Sequence, residues 1–331
     1  MKVLVTGGAG YIGSVVAAAL VERGHSVVVY DNLSNGHRAA VPSAAQVVAG
    51  DIGDRAMLDA TLRNGAFDGV MHFAAFIEAG ESMRFPERFF RNNTANTLTL
   101  LELMLEHRVS RFVFSSTAAL YGNPERTPIE ESDPLKPTNA YGESKLLVER
   151  MLEWFHSIHG LCYASLRYFN AAGATATLAE DHHPESHLIP IVLEAAAGKR
   201  DSIAIHGTDY PTPDGTCVRD YIHVSDLADA HLLALERLGR DEQPERLIYN
   251  LGNGHGSSVL EVIEAAKRVT GNPIQVKEGP RRAGDPEILV ASSQKIRKEL
   301  GWSPKYTDID TIIESAWRWR NSHPKGYGDE Q

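Results

Sequence analysis

Cysteine is scarce in this sequence, which holds only two, Cys162 and Cys217, among 331 residues. Two distant cysteines make neither a disulfide framework nor a zinc-ligand spacing, so a reducing, cytoplasmic setting is the expected one. The N-terminus begins directly with an apolar strand and lacks the basic and apolar regions of a secretory signal. No apolar run approaches the roughly 20 residues that cross a bilayer, so no membrane segment is predicted.

Positive charge is also in the minority. Lysine and arginine total 33 against 43 aspartate and glutamate residues, and the formal net charge is −10. Binding to nucleic acid or to an anionic membrane depends on clustered Lys and Arg, so neither partner is expected. Hydrophobic residues make up 43% of the chain and charged residues 23%, which is typical of a globular protein that buries a substantial core.

Short apolar runs alternate with helical stretches in the first 170 residues. Runs without polar alternation are typical of strands that are covered on both faces. Strands that alternate with helices predict an α/β fold with a Rossmann-type, doubly wound parallel sheet. The predicted strands span 2–6, 26–30, 46–49, 69–73, 111–115 and 162–168, and the predicted helices span 12–23, 86–107 and 141–158.

The pattern loosens after residue 170 into loops and further helices. We predict two domains, a Rossmann domain over 1–170 and a smaller mixed α/β lobe over 171–331, with segment 220–251 as a candidate for return to the first sheet. Ligands of such folds bind at the carboxyl ends of the strands, where the strand order reverses, so the cleft between the lobes is the expected site. The later helices are predicted near 188–198, 225–238, 258–270 and 308–320. The third of these begins with a Ser258/Glu261 capping box.

A glycine-rich turn joins the first predicted strand to the first predicted helix. Gly7, Gly10 and Gly13 occupy this turn, with Tyr11 and Ile12 between the last two. Glycine permits a tight turn and lets backbone N–H groups approach a pyrophosphate, while the helix N-terminus adds free donors and a positive dipole. The spacing is a looser variant of the dinucleotide-binding pattern, and its strand–turn–helix context favours that function over an ordinary turn.

Carboxylates follow the second and third predicted strands. Asp31 comes 18 residues after Gly13, where it can accept hydrogen bonds from adenosine ribose hydroxyls and would repel a 2′-phosphate. NAD is therefore favoured over NADP as the cofactor. Asp51, followed by Ile52, can meet the adenine amino group, although aspartate at a strand end also serves as a plain turn residue.

Tyr141 and Lys145 lie four residues apart at the start of a predicted helix, so their side chains share one face. An isolated phenol has a pKa of about 10. A nearby ammonium group or an oxidised nicotinamide ring lowers that pKa, and the resulting tyrosinate is a usable base near neutral pH. Thr117 ends a predicted strand and adds a hydroxyl that can bridge a substrate hydroxyl and Tyr141. A threonine at the end of a strand, or a Tyr–Lys pair at this spacing, is common in proteins, so neither indicates a catalytic site by itself.

These motifs, with others along the chain, resemble the extended short-chain dehydrogenase/reductase family, and within it the UDP-glucose 4-epimerases. The resemblance implies NAD-dependent epimerisation at C4 of a UDP-hexose, UDP-galactose to UDP-glucose, through a 4-keto intermediate. Tyr141 is then the base, Lys145 lowers its pKa and Thr117 assists. The matching segments cover nearly the whole chain and are 3–14, 31–36, 50–52, 72–75, 80–82, 114–122, 141–145, 166–174, 209–231, 249–254, 281–285, 300–302 and 323–329.

The same resemblance implies binding roles, which make 1–170 the NAD-binding domain and 171–331 mainly a UDP-sugar-binding lobe. Tightly bound NAD is expected to contact Gly7, Gly10, Tyr11, Ile12, Gly13, Asp31, Asn32, Leu33, Ser34, Asn35, Gly36, Asp51, Ile52, Phe73, Ala74, Ala75, Asn92, Ser115, Tyr141, Lys145, Tyr168 and Phe169. The UDP-sugar is expected to contact Thr117, Tyr141, Asn170, His187, Leu188, Ala204, His206, Arg219, Tyr221, Arg282 and Asp285. The two arginines offer planar forks for a diphosphate, and the aspartate can accept from ribose hydroxyls.

The chain departs from the best-known members of that family at five places. Thr117 replaces a serine but keeps the hydroxyl, and Ile77-Glu78 stands where some members place a lysine near the cofactor. His187 replaces an asparagine, and His206 replaces an aromatic residue that stacks on uracil. Leu289 takes the position that sets whether N-acetylated sugars fit, so acceptance of UDP-N-acetylglucosamine stays open.

Other functions compete with this interpretation. The first is a 4-epimerase acting on UDP-N-acetylglucosamine, UDP-xylose or UDP-glucuronate, which the sequence separates poorly. A nucleotide-sugar 4,6-dehydratase needs an acid–base pair, but Ala118 and Ala119 stand where the resembling dehydratases carry acids. A non-catalytic NAD sensor has no use for a phenol whose pKa is lowered by Lys145.

Metal binding and assembly complete the predictions. His182, His183 and His187 lie in a proline-bearing loop without clear ligand spacing, so a solvated loop and no metal site are predicted. The helices 86–107 and 141–158 are apolar on more than one face. Because family members pair these helices into a four-helix interface, a homodimer is expected.

Overall fold

The structure, a computed structural model, describes residues 1–240, 243–282 and 286–328. The largest sheet of the structure confirms the predicted α/β fold with a doubly wound parallel sheet. The strands are β1 (Lys2–Thr6), β2 (Ser26–Asp31), β3 (Gln46–Ala49), β4 (Gly69–His72), β5 (Arg111–Thr117), β6 (Cys162–Tyr168), β7 (Asn170–Ala172), β8 (Ile203–His206), β9 (Val218–His223), β10 (Arg246–Leu251), β11 (Gly256–Ser258), β12 (Val276–Gly279) and β13 (Ile288–Leu289).

Seven strands form the main sheet, in the order β10-β6-β5-β4-β1-β2-β3, and all neighbours run parallel. The apolar centre of β1, Val3 to Val5, is fully buried, which explains its run without polar alternation. The chain order reverses on the two sides of β1, where β2 and β4 are its neighbours. Ligand sites of doubly wound sheets form at this reversal.

Helices cover both faces of this sheet, and others build the second lobe. The α-helices are α1 (Tyr11–Glu22), α2 (Arg55–Gly65), α3 (Ala79–Ser82), α4 (Pro86–Phe89), α5 (Asn96–Glu106), α6 (Ala140–His159), α7 (Leu188–Ala196), α8 (Val224–Arg237), α9 (Val259–Thr270), α10 (Gln294–Leu300) and α11 (Ile309–Ser322). In the described part of the chain, no helix is long and apolar enough to cross a membrane.

The single helix predicted over 86–107 is interrupted. Phe90–Ala95 forms a π-helical segment between α4 and α5. Its Asn93 accepts a hydrogen bond from the Phe76 backbone N–H at 2.9 Å and donates to the Ser144 hydroxyl at 3.1 Å. The wider turn therefore ties the loop after β4 to helix α6, a use that is frequent for π-segments beside functional sites.

Helix α6 has clear local signals at both ends. The Asn139 side chain accepts a hydrogen bond from the Gly142 N–H at 2.8 Å, which caps the N-terminus. The helix ends at Gly160, whose φ of 71° lies in the left-handed region. The cap places Tyr141 in the first turn and Lys145 in the second.

The second lobe packs smaller sheets against α7, α9 and α11. Strands β7, β11 and β13 pair with β9, while β8 pairs with β12. The predicted capping box opens α9, with Ser258 Oγ 3.0 Å from the Glu261 N–H. Two elements after β9 belong to the first sheet instead: β10 pairs with β6, and α8 packs in the same apolar core as β1 and α1.

Candidate active site

A cavity of about 310 Å³ opens at the carboxyl ends of the parallel strands. Its lining includes residues that end or directly follow β1, β2, β4, β5 and β6. The cavity therefore lies where doubly wound folds bind ligands.

The glycine-rich turn forms one wall of this cavity. Gly7 has a φ of 72°, and a Cβ placed there would lie 2.4 Å from the backbone nitrogen of Ala74. A Cβ on Gly13 would lie 2.1 Å from the carbonyl oxygen of Gly7. Gly10 is the N-cap of α1, and no side chain among the described residues caps that end. The close packing and the uncapped N–H groups fit a bound pyrophosphate.

Asp31 holds the turn in place. Its carboxylate accepts hydrogen bonds from the Ala9 N–H at 2.9 Å and from the Leu33 N–H at 2.8 Å. Burial raises the pKa of this carboxyl, while the two N–H donors act against that shift. Each oxygen keeps a second lone pair, so the group can also accept ribose hydroxyls at the cavity surface.

Asp51 has the turn role that the sequence left open. It accepts from the Gly53 N–H and from Asn32 Nδ2, both at 2.7 Å. Asp51 does not line the cavity, whereas Ile52 beside it does. The contact of Asp51 with adenine stays a prediction.

The structure brings Thr117, Tyr141 and Lys145 to the same cavity. The Tyr141 backbone N–H donates to Ser82 Oγ at 3.1 Å. Lys145 Nζ donates to the Ser115 carbonyl at 2.9 Å and lies 4.9 Å from the centre of the Phe114 ring. Burial lowers the pKa of the Lys145 ammonium to about 7.

The electrostatics of Tyr141 differ from the sequence-based expectation. Burial raises the pKa of its phenol well above the ordinary value, and Tyr168 and Glu78 add to that increase. The nearby Thr117 hydroxyl lowers this pKa and so acts in the opposite direction. Because the Lys145 ammonium is itself buried and bonded to Ser115, the lowering of the Tyr141 pKa by Lys145 stays a prediction.

A buried polar network lies beneath these residues and was missed by sequence reasoning. Glu149 accepts from Ser116 Oγ and from Arg167 Nη2, both at 2.6 Å. Arg167 Nη1 also donates to the Tyr121 hydroxyl at 2.9 Å. The signal available in the sequence is spacing, since Glu149 follows Lys145 by four residues on the same helix face.

The other predicted cofactor residues also line the cavity, except Leu33 and Asp51. Those that do are Tyr11, Ile12, Asn32, Ser34, Asn35, Gly36, Phe73, Ala74, Ala75, Asn92, Ser115, Tyr168 and Phe169. Sequence reasoning did not predict contacts from Tyr30, Gly50, Phe76, Ile77, Ala171, Ala172, Ile189 and Pro190, which line it too.

The predicted substrate residues divide into two groups. Asn170, His187, Leu188 and Tyr221 line the cavity together with Thr117 and Tyr141. Ala204, His206, Arg219 and Arg282 do not, and Asp285 lies outside the described residues.

Local structure accounts for the positions of the second group. Ala204 and His206 are in β8, which pairs with β12 away from the main sheet. Arg219 Nη1 donates to the neighbouring Val218 carbonyl at 2.9 Å, and Arg282 is exposed. The UDP-binding roles of these four residues stay predictions.

The prediction that His182, His183 and His187 lie in a solvated loop is wrong for His182, whose side chain is 17% exposed. The Glu180 side chain is only 8% exposed, and both Glu180 and His182 line the cavity. His187 lines the cavity too, whereas the His183 side chain is 63% exposed and does not line it. The signal that sequence reasoning passed over is the high density of acids and histidines along 180–187, which holds three of each.

Comparison with known proteins identifies the family. A model of the NAD dependent epimerase/dehydratase family matches residues 3–252. The chain belongs to this family. It is 54% identical over 329 residues to a UDP-glucose 4-epimerase of Streptomyces lividans, covering 99% of this chain and 98% of that protein. It is 53% identical over 332 residues to a UDP-glucose 4-epimerase of Halalkalibacterium halodurans, covering 100% and 98%.

A solved structure gives the same result for the fold. The UDP-glucose 4-epimerase from Brucella ovis in complex with NAD matches with a TM-score of 0.92 at 46% identity, covering 96% of this chain and 97% of that one. The family resemblance drawn from the sequence motifs is thus confirmed, and with it the expectation of an enzyme of this class. The uncapped helix end and the glycine cradle of this chain fit an NAD cofactor.

Proposed function

We propose that this protein interconverts UDP-galactose and UDP-glucose by NAD-dependent epimerisation at C4 of the sugar. One observation carries the proposal: a single cavity is lined both by the Gly7–Gly13 turn and by Thr117, Tyr141 and Lys145. The relatives described above support the choice of substrate, because they are UDP-glucose 4-epimerases that align over nearly the whole chain.

The first lobe binds NAD through backbone donors and one carboxylate. The N–H groups of the glycine turn and the α1 N-terminus hold the pyrophosphate, and Asp31 accepts the ribose hydroxyls. When bound, NAD would supply a positively charged ring that favours the Tyr141 phenolate and that can accept a hydride from the sugar C4 and return it. Because the ketone would be lost if NAD left, tight binding is part of the proposal.

Tyr141 and Thr117 move the proton of the sugar 4-hydroxyl. Thr117 Oγ1 accepts from the Ala119 N–H at 3.1 Å, which fixes the oxygen and leaves its own hydrogen to be donated within the cavity. Thr117 and Tyr141 line the same cavity, so the two hydroxyls together with the sugar hydroxyl can provide a short path for the proton. Lys145 in its ammonium form favours the phenolate through its charge. The same groups return the proton after the ketone has turned over.

Epimerisation suits these residues better than dehydration does. Loss of water across C5 and C6 requires an acid–base pair beside the sugar, but Ala118 and Ala119 follow Thr117 in a short 3₁₀ turn. Neither side chain can carry a proton. The chain therefore holds the groups for transfer at C4 and lacks acids at the positions where the resembling dehydratases carry them.

We also propose that the protein is a cytoplasmic homodimer. Three large apolar side chains are exposed on α5 and α6: Leu98 at 37%, Trp154 at 67% and Ile158 at 66%. A second copy would cover this apolar surface. Both cysteines are buried free thiols, which is consistent with a reducing compartment.

The test is direct conversion by the purified protein. With UDP-galactose and no added NAD, we expect UDP-glucose to appear and the denatured protein to release about one NAD per chain. Conversion absent even with added NAD would overturn the proposed reaction. UDP-N-acetylglucosamine is assayed in parallel, because Leu289 leaves its acceptance open.

A further inference from the structure

Four side chains of segment 180–187 meet in the wall of the cavity. Glu180, His182, Glu185 and His187 each offer one imidazole nitrogen or carboxylate oxygen, and these four atoms lie within 4.8 Å of one another. Three of the four residues, all except Glu185, line the cavity.

The separations within this cluster are close to those of a tetrahedral metal site. Nδ1 of His187 lies 2.7 Å from Glu180 Oε1 and 3.2 Å from Glu185 Oε1, and Nδ1 of His182 lies 3.1 Å from Glu180 Oε1. Four ligands bonded to zinc at 2.0–2.2 Å are separated from each other by roughly 3.3–3.6 Å. To admit an ion, the 2.7 Å separation has to widen by about 0.6–0.9 Å and the other two by about 0.1–0.5 Å.

Glu185 gives an independent observation in favour of a cation at this cluster. Its side chain is 3% exposed, and its Oε1 accepts from the backbone N–H groups of Ser186 and His187 at 2.7 and 2.8 Å. Its Oε2 is buried and has no hydrogen-bond partner among the described residues. A buried carboxylate oxygen without a partner is costly, and a bound ion would satisfy it.

The backbone around the cluster is held from outside. The Tyr327 N–H donates to Asp181 Oδ2 at 3.0 Å, and the Tyr327 hydroxyl accepts from the Ala179 N–H at 2.9 Å. On the other side, His187 is the N-cap of α7. Both ends of the segment are thus fixed, so the four side chains are arranged before any ion arrives.

We propose that Glu180, His182, Glu185 and His187 form a zinc-binding site in the wall of the cavity. Two imidazole nitrogens and two carboxylate oxygens suit Zn²⁺, whereas Mg²⁺ prefers six oxygen ligands and retains several waters. In this proposal Glu185 binds the ion through Oε2, while its Oε1 keeps the two backbone N–H donors. The ion then links side chains between positions 180 and 187. The site lies in the same cavity as Tyr141, and His187 is also a predicted contact of the UDP-sugar, but zinc binding does not depend on the chemistry proposed for Tyr141.

The experiment measures zinc on the full-length protein after removal of metals with a chelator. In equilibrium dialysis we expect one Zn²⁺ per chain and no comparable binding of Mg²⁺. Co²⁺ in the same site should give the visible d–d absorption of tetrahedral coordination, and Zn²⁺ should raise the Tm.

Two variants and one control make the result specific. E185Q keeps the size of the side chain and one acceptor for the backbone, and H182Q removes an imidazole; each should lose at least tenfold in zinc affinity and the tetrahedral Co²⁺ spectrum. E106Q changes a second cluster, with Asp59 and His107, and should bind zinc as the parent does.

Other outcomes would overturn the site. Absence of stoichiometric zinc, equal binding of Mg²⁺, or unchanged zinc binding in both E185Q and H182Q would each show that the histidines only hydrogen-bond to the carboxylates. Circular dichroism of the two variants establishes that they are folded, and if one is not, the other decides.

Discussion

Replacing Glu149 by alanine tests how the helix with Tyr141 and Lys145 is fixed to the sheet. Glu149 and Arg167 form a buried pair whose side chains are 7% and 4% exposed. Arg167 Nε lies 3.0 and 3.2 Å from the two carboxylate oxygens, and Nη2 lies 2.6 Å from one of them. Removing one partner of such a pair leaves a buried charge uncompensated, which costs about 3–5 kcal/mol. We expect Glu149→Ala to lower the free energy of unfolding by that amount.

Urea unfolding followed by tryptophan fluorescence measures this loss. The double variant Glu149→Ala/Arg167→Met removes both charges and should recover a large part of the lost stability, because the penalty comes from the unpaired guanidinium. Glu314→Ala is the matched control, since Glu314 and Arg318 pair at 2.9 Å with side chains 56% and 75% exposed. An exposed pair four residues apart contributes about 0.3–0.5 kcal/mol. A loss below about 1 kcal/mol for Glu149→Ala, or no recovery in the double variant, would refute the reasoning.

Three further predictions concern single positions. In the UDP-galactose assay, Thr117→Ser should keep kcat within a few-fold of the parent. Thr117→Val loses the hydroxyl and should lower kcat by about 100-fold. Equal kcat values for the two variants would exclude a role for the hydroxyl. Gly13→Ala should reduce the NAD that purifies with the protein, because the added Cβ would lie 2.1 Å from the Gly7 carbonyl oxygen; full NAD content would contradict this geometry. Burial lowers the pKa of His231 in the folded protein to about 4, below the ordinary value of about 6.5. As the pH falls, the histidine is therefore protonated in the unfolded chain before it is protonated in the folded protein. The free energy of unfolding should decrease by about 3 kcal/mol between about pH 6.5 and 4 for this reason. Unfolding curves of His231→Gln should show a smaller loss over that range, and an identical slope would rule out this source.

The first lobe is readily predicted from the sequence. Its parallel strands are buried on both faces, so their apolar runs are unambiguous, and the Gly7–Gly13 turn follows directly from one of them. The strands of the second lobe give weaker signals. The second-lobe strand β8, for example, has four residues and an exposed Ala204. Short, half-exposed strands lack a periodic pattern, which is why the placement of Ala204 and His206 away from the cavity did not follow from sequence.

The remaining gaps in the candidate site come from pairs of residues distant in sequence. Glu149 is recognisable as a partner of the site only when Arg167 is brought beside it by the packing of helix α6 on strand β6. The two residues that flank Glu180, Ala179 and Asp181, likewise hydrogen-bond to the distant Tyr327, and no local pattern reveals that contact. The pKa of Tyr141 could not be predicted from the sequence either. The spacing to Lys145 predicts a lowered pKa, whereas burial of the phenol in the folded protein raises it.

Turnover by Tyr141→Phe measures the central claim most directly. Phenylalanine keeps the ring in the cavity and removes only the hydroxyl that is proposed to take the proton from the sugar. With UDP-galactose, kcat should fall by about 10²–10⁴-fold, while the NAD content and the binding of UDP match the parent protein. A variant with the parent's NAD content that turns over within a few-fold of the parent rate would contradict the account.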